Sequence, residues 1–202
     1  RIQHGLREVA EETDDDGVTD TEESQVPNKG GSGTGDGNGD GTPDDQQENV
    51  TSLKNSESQE YITVEAEAGQ KLENVKSRKN PSPDTTPEEA EFPVGFLEFE
   101  MDVGQGVSNT VTVHLPPDKE ADTYWQYGKT PDNPTKHWYE FTYDGETGAE
   151  IMNDQNKIVL HFVDGKRGDT DLQANGRIVD PGAPALTSAN QAPSASDDAP
   201  TI

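Results

Sequence analysis

Apolar and polar residues alternate over short stretches of this chain, and the alternation begins only after Glu60. Period-two runs bounded by Pro, Asp, Asn and Gly are the pattern of half-buried antiparallel strands. They predict strands near Tyr61–Ala66, Lys71–Lys76, Gly95–Val103, Asn109–Leu115, Thr123–Tyr127, His137–Tyr143, Ala149–Met152 and Lys157–Val163, with a ninth over Arg177–Val179. In the third of these, Leu97, Phe99 and Met101 share one face and Phe96, Glu98 and Glu100 the other, so the first trio is expected inside. Ile158, Leu160 and Phe162 share a face in the eighth. So many short strands joined by turns predict an all-β fold, an antiparallel β-sandwich over residues 51–182. From Ala183 to Ile202 the chain is rich in Ala, Pro, Ser and Thr and reads as a linker.

Composition limits what this sandwich can be. Only 27% of the 202 residues are hydrophobic and the mean hydropathy is −1.00, so one modest core is the ceiling. With 41 acidic and 15 basic residues the formal net charge is −26, which repels nucleic acid and anionic lipid and leaves cations as natural partners. The absence of cysteine rules out a disulfide framework, a thiolate zinc site and a cysteine nucleophile. No apolar run approaches the roughly 20 residues that cross a bilayer, so this segment is not expected to insert directly into a membrane. Because the chain starts at Arg1, a longer precursor is expected, with any export signal or anchor elsewhere in it.

The acidity concentrates at the start: residues 1–50 hold 14 acidic and 3 basic side chains and a glycine-rich stretch from Gly30 to Gly41. Such a segment needs bound cations or a packing partner to become ordered. Its spacing favours cations. Asp36 to Gln47 matches a 12-residue calcium loop, in which alternating oxygens converge on a hard ion and a glycine at position 6 makes the sharp turn. Asp36, Asn38 and Asp40 occupy positions 1, 3 and 5, Gly41 position 6, Thr42 position 7 through its carbonyl, Asp44 position 9 and Gln47 position 12. Gln47 replaces the usual bidentate Glu, which weakens this site. The earlier stretch, Glu12 to Glu23, puts Glu12, Asp14, Asp16, Val18, Asp20 and Glu23 at positions 1, 3, 5, 7, 9 and 12, with Gly17 at position 6. Glu12 stands where Asp is preferred, so the second loop has the better first position and the first loop the better last one. Pro27 and the glycines from Gly30 deny the first loop a long exit helix, while Asp45 to Leu53 suits a short one. The two loops resemble those of thrombospondin type 3 and dockerin-like repeats, where ions replace a hydrophobic core.

Farther along, Asp122-Thr-Tyr-Trp-Gln-Tyr-Gly128, Thr130-Pro-Asp-Asn-Pro-Thr135, His137-Trp-Tyr-Glu-Phe141 and Tyr143-Asp-Gly-Glu-Thr-Gly-Ala-Glu150 form a distinctive series. With Leu160-His-Phe-Val-Asp-Gly165, Arg167-Gly-Asp169 and Ala174-Asn-Gly-Arg-Ile-Val-Asp-Pro-Gly182, the stretch from residue 45 to residue 182 resembles the choice-of-anchor U domain of bacterial surface proteins. The resemblance implies a secreted or cell-surface module of a large exported protein and no catalytic activity. Asn190-Gln-Ala-Pro-Ser-Ala-Ser-Asp-Asp198 is similar to the lead-in of a cadherin-like repeat.

Three other groups carry chemistry. Asp164, Asp169, Asp171, Asn175 and Asp180 form a candidate third calcium site, for which turn formation is the competing reading. Trp125 and Trp138, among Tyr124, Tyr127 and Tyr139, are candidate stacking platforms for a glycan, against packing in the core. His4, His114, His137 and His161 share no zinc-ligand spacing. No nucleophile elbow, phosphate loop or metal-hydrolase motif is present, so no enzyme is expected. The expected function is a calcium-stabilised, non-catalytic extracellular spacer or contact module. Its expected partners are calcium ions and neighbouring modules of the same precursor or identical subunits. The alternatives are a carbohydrate-binding module and a repeating subunit of an extracellular filament.

Overall fold

A computed structural model describes residues 10–188. One short helix, α1 (Asp20–Glu23), precedes eleven strands. These are β1 (Val50–Lys54), β2 (Tyr61–Ala66), β3 (Glu73–Arg78), β4 (Ala90–Glu91), β5 (Phe96–Asp102), β6 (Ser108–His114), β7 (Thr123–Thr130), β8 (Asn133–Glu140), β9 (Gly148–Met152), β10 (Lys157–Val163) and β11 (Arg177–Thr187). They build two sheets. The first runs β1-β2-β6-β10-β9; the second runs β3-β5-β11-β7-β8, with β4 added against the end of β11. Every pairing between these strands is antiparallel, as the period-two pattern requires.

The core lies where the inner faces of the two sheets meet. Ile62, Val64, Val111, Val113, Ile158, Leu160 and Phe162 come from the first sheet, and Leu97, Phe99, Met101, Tyr124 and Ile178 from the second. Both trios expected inside are fully buried. Phe162 stacks on Phe141 and meets Phe99 edge-on, with centroids 5.5 Å and 5.9 Å apart, so three rings tie the layers together. A second aromatic group, Phe92, Phe96, Tyr127 and Trp138, packs outside this core.

Two expectations are corrected. The stretch Asp45–Leu53 forms no exit helix: a single 3₁₀ turn at Asp44–Gln46 is followed by β1, an edge strand that the alternation did not announce. The reason is that Val50, Thr51, Ser52 and Leu53 are all buried, so neither face of β1 is open to solvent and no alternation results. The linker does not begin at Ala183, because β11 continues to Thr187 with Ala183 and Ala185 buried between β5 or β4 on one side and β7 on the other. Small residues there read as linker by composition, yet they are what a strand crowded on both sides can accept. The acidic arm packs on the sandwich: Val18 belongs to the core cluster, and Val75 of β3 donates its amide to the Asp16 carbonyl at 2.9 Å. His4, the end of the expected linker and the cadherin-like lead-in lie outside the described residues.

One charge is buried inside the sandwich itself. Asp180 on β11 is fully buried and accepts hydrogen bonds from the Tyr124 hydroxyl at 2.9 Å and from the Gln126 amide. Burial pushes its carboxyl up to about 7, against the opposing pull of those two donors. The folded chain therefore keeps a proton that the unfolded chain releases between about pH 4 and pH 7, and stability falls as pH rises through that window. Asp180→Asn, whose oxygen accepts from Gln126 while its NH2 donates to a Tyr124 hydroxyl turned to accept, is expected to remove the share of this slope that Asp180 contributes. Urea midpoints for both proteins at pH 5 and pH 7.5 check it: the wild type should lose more stability than the variant at the higher pH, the loss common to both coming from the other buried carboxyls.

Candidate metal centre

The two acidic loops adopt the same conformation. In each, the amide at position 6 donates to the carboxylate at position 1: Gly17 to Glu12 at 2.5 Å, and Gly41 to Asp36 at 2.8 Å. The amide at position 7 donates to the carboxylate at position 5, Val18 to Asp16 and Thr42 to Asp40, both at 2.8 Å. The amide at position 2 donates to the carboxylate at position 9, Thr13 to Asp20 at 2.7 Å and Gly37 to Asp44 at 2.9 Å. Position 9 in turn donates its amide to the carbonyl just before the loop, Asp20 to Glu11 and Asp44 to Gly35. Positions 4 and 6 have positive φ in both, Asp15 with Gly17 and Gly39 with Gly41. Each loop then ends in a helical turn, α1 in the first and Asp44–Gln46 in the second. Carboxylates tied to amides of their own loop are pre-oriented.

Their surroundings differ. In the first loop Asp14, Asp16 and Glu23 are buried, with ligand oxygens within 4.8 Å of one another. Among the described residues no other set of three or more Asp, Glu, His or Cys side chains converges this closely. Neither oxygen of Asp14 nor Oε2 of Glu23 has a hydrogen-bond partner. Two of the other oxygens are held by the edge strand β1, Thr51 donating its hydroxyl to Asp16 Oδ2 and the Ser52 amide donating to Glu23 Oε1 at 3.1 Å, while Asp16 Oδ1 accepts from Val18. Gly17 sits so close to β3 that an added Cβ would lie 3.1 Å from the Val75 nitrogen. The first loop thus bridges β1 and β3, edge strands of different sheets.

Burial, with mutual repulsion, dominates the electrostatics. It pushes the Asp14 carboxyl up to about 8 and that of Glu23 up to about 10, with Asp16 adding to both. Asp16 is also raised by burial, against the opposing bonds from Thr51 and Val18. Two unit charges 4.8 Å apart repel by about 3 kcal/mol at an effective dielectric constant near 20. Unneutralised, the cluster would oppose the packing that surrounds it; a divalent cation removes the repulsion and satisfies the orphaned oxygens together. The group can hold a metal ion, and its all-oxygen donors suit hard cations rather than zinc or copper.

The remaining loop positions are placed as follows. Glu12 is exposed, Asp20 also accepts the Thr13 hydroxyl, and Val18 sends its side chain into the core. In the second loop Asp36, Asn38, Asp40 and Thr42 lie at the surface or partly covered, and Asn38 reaches out to Glu65 at 2.9 Å. Asp44 is fully buried; Ser52 and Gly37 donate to its Oδ2, while its Oδ1 has no partner, nor has Oε1 of Gln47. Its carboxyl is pushed up to about 6 by burial. Three residues were missed: Thr51 and Ser52, because β1 was not recognised, and Asp45, whose Oδ1 is likewise buried without a partner.

In the candidate third site Asp164, Asp169 and Asp171 do not converge as Asp14, Asp16 and Glu23 do, although Oδ1 of Asp164 is buried without a partner. Asp164 accepts from Gly106 and Gly176, Asp169 from Gly165 and Val179, Asp171 from Gln173 and Asn175, and Asn175 from Arg177, which is the hydrogen bonding of turns. Asp180 is turned into the core, as described above. Of the indoles, Trp125 is buried and Trp138 is half-buried, stacked on Phe92 with its Nε1 donating to Thr85. Compared with known proteins, the chain matches no family model, no curated protein and no solved structure.

Asp14→Asn separates repulsion from ligation. In excess chelator the variant should unfold at a higher urea concentration than wild type, because one buried like charge is gone. In excess calcium the order should reverse, because a ligand is gone. Unfolding curves for both proteins in both buffers read the crossing directly.

Proposed function

We propose that this chain is a calcium-stabilised, non-catalytic module of an extracellular or cell-surface protein, serving as a structural spacer or contact domain. One observation carries the reading: three buried carboxylates, two of them with unpartnered oxygens, converge where two sheet edges meet. Calcium is favoured over magnesium because the loop offers flexible, many-oxygen ligation: three carboxylates with the Val18 carbonyl at position 7. Magnesium demands tighter octahedral geometry and keeps its waters. The role is that of a brace. The core of aromatic and aliphatic side chains is already complete between the sheets, and the ion fastens the acidic arm across their open side. Extracellular millimolar calcium suits a weak, permanent site of this kind. The resemblance of residues 45–182 to the choice-of-anchor U domain supports a bacterial surface location. No helix among the described residues is long and apolar enough to cross a membrane.

Calorimetric titration of the full chain with calcium, beside thermal melts in calcium and in chelator, tests this. Calcium at about 100 times its Kd should add about 2.7 kcal/mol, a rise in Tm of roughly 5–10 °C for a chain of this size. Limited proteolysis in chelator should cut first within residues 12–47. Equal Tm and an equally resistant arm in both buffers would remove the basis of the proposal.

A further inference from the structure

The capping of β1 has a pattern of its own. β1 is the outermost strand of the first sheet, and its amides at Val50, Ser52 and Lys54 alternate along the side away from β2. An open row of this kind is a template for another strand. Here all three donors are answered by the ends of the two acidic loops. Val50 donates to the Gln47 carbonyl at 3.2 Å, Ser52 to Glu23 Oε1 at 3.1 Å and Lys54 to Glu22 Oε1 at 3.1 Å. Gln47 and Glu23 are position 12 of their loops, and Glu22 is position 11 of the first. Glu23 therefore faces two ways, with one oxygen on the edge strand and the other, unpartnered, toward Asp14 and Asp16.

We propose that β1 is a calcium-gated strand-addition edge: the loaded arm covers it, and the chelated arm uncovers it for antiparallel pairing with β1 of a second copy. The inference rests on the calcium reading above. Without a cation, three crowded carboxylates regain hydration by leaving the seam, and Glu23 and Glu22 leave β1 with them. The second copy is the occupant because of charge. Four strands end the two sheets, β1, β9, β3 and β8; β9 carries Glu150, β3 Glu73 and β8 Glu140, whereas Val50-Thr-Ser-Leu-Lys54 has no carboxylate. The only charged residue of β1 is Lys54, so in a chain of net charge −26 two copies of β1 can meet without setting carboxylates against each other. A two-fold pair centred on Ser52 sets Val50 opposite Lys54, a self-complementary contact that closes as a dimer.

The test uses the full chain in excess calcium and in excess EDTA at about 0.15 M salt, where surface repulsion is screened within about 8 Å. Sedimentation velocity should give a monomer in calcium and a dimer in EDTA. Lys54→Pro removes an outward donor that an edge strand can spare, and this variant should stay monomeric in both. Glu22→Ala leaves the carboxylate cluster intact, so calorimetry should return the wild-type calcium affinity while exchange of the Lys54 amide in calcium rises about tenfold or more. Absence of calcium binding by calorimetry would sink the calcium reading itself. Calcium binding with a chelated chain that stays monomeric, a Lys54→Pro dimer, or open-ended assemblies would overturn this inference alone.

Discussion

Burying Asp14, Asp16 and Glu23 within 4.8 Å of one another sets the terms for everything before β1. Charges this close and this dry repel strongly, so the packed arm needs either a counter-charge among them or protons on them. That requirement explains why carboxylates occupy positions where a small sandwich would otherwise place apolar residues. It also explains why their oxygens divide between two tasks, some held by Thr51 and Ser52 and some left without protein partners.

The two halves of the structure are stabilised by different physics. Between the sheets, Phe99, Phe141 and Phe162 interlock, and the aliphatic residues around them are fully buried, an arrangement indifferent to ions. Along the β1 and β3 side, polar loops replace the third layer that a longer and more apolar chain would have used. Val18 joins the regimes: its amide orders Asp16 while its side chain enters the core. The proposed ion site is thereby tied to packing without being required for the core.

Legibility in the sequence followed the same division. Strands with one wet face were readable because their periodicity is the physical consequence of half-burial; β2 and β10 fall where the alternation puts them. β1 was hidden because it is covered on both faces, and the end of β11 because alanine and proline in a crowded strand look like linker. The loop spacing located the acid cluster, and the shared hydrogen bonds of the two loops follow the 12-residue register. It could not say which oxygens would be buried, since that depends on where β1 lies. Asp169, Asp171 and Asn175 show the limit of composition: the same residue types serve turns, and hydrogen-bond partners separate the two uses.

Diffraction from crystals of the chain grown with terbium, a hard trivalent stand-in for calcium, tests the central claim most directly. The account predicts an anomalous peak bonded to oxygens of Asp14, Asp16 and Glu23, with Glu23 still accepting the Ser52 amide. A first loop packed as described, without a peak and with its carboxyl groups hydrogen-bonded to one another as neutral acids, would contradict it.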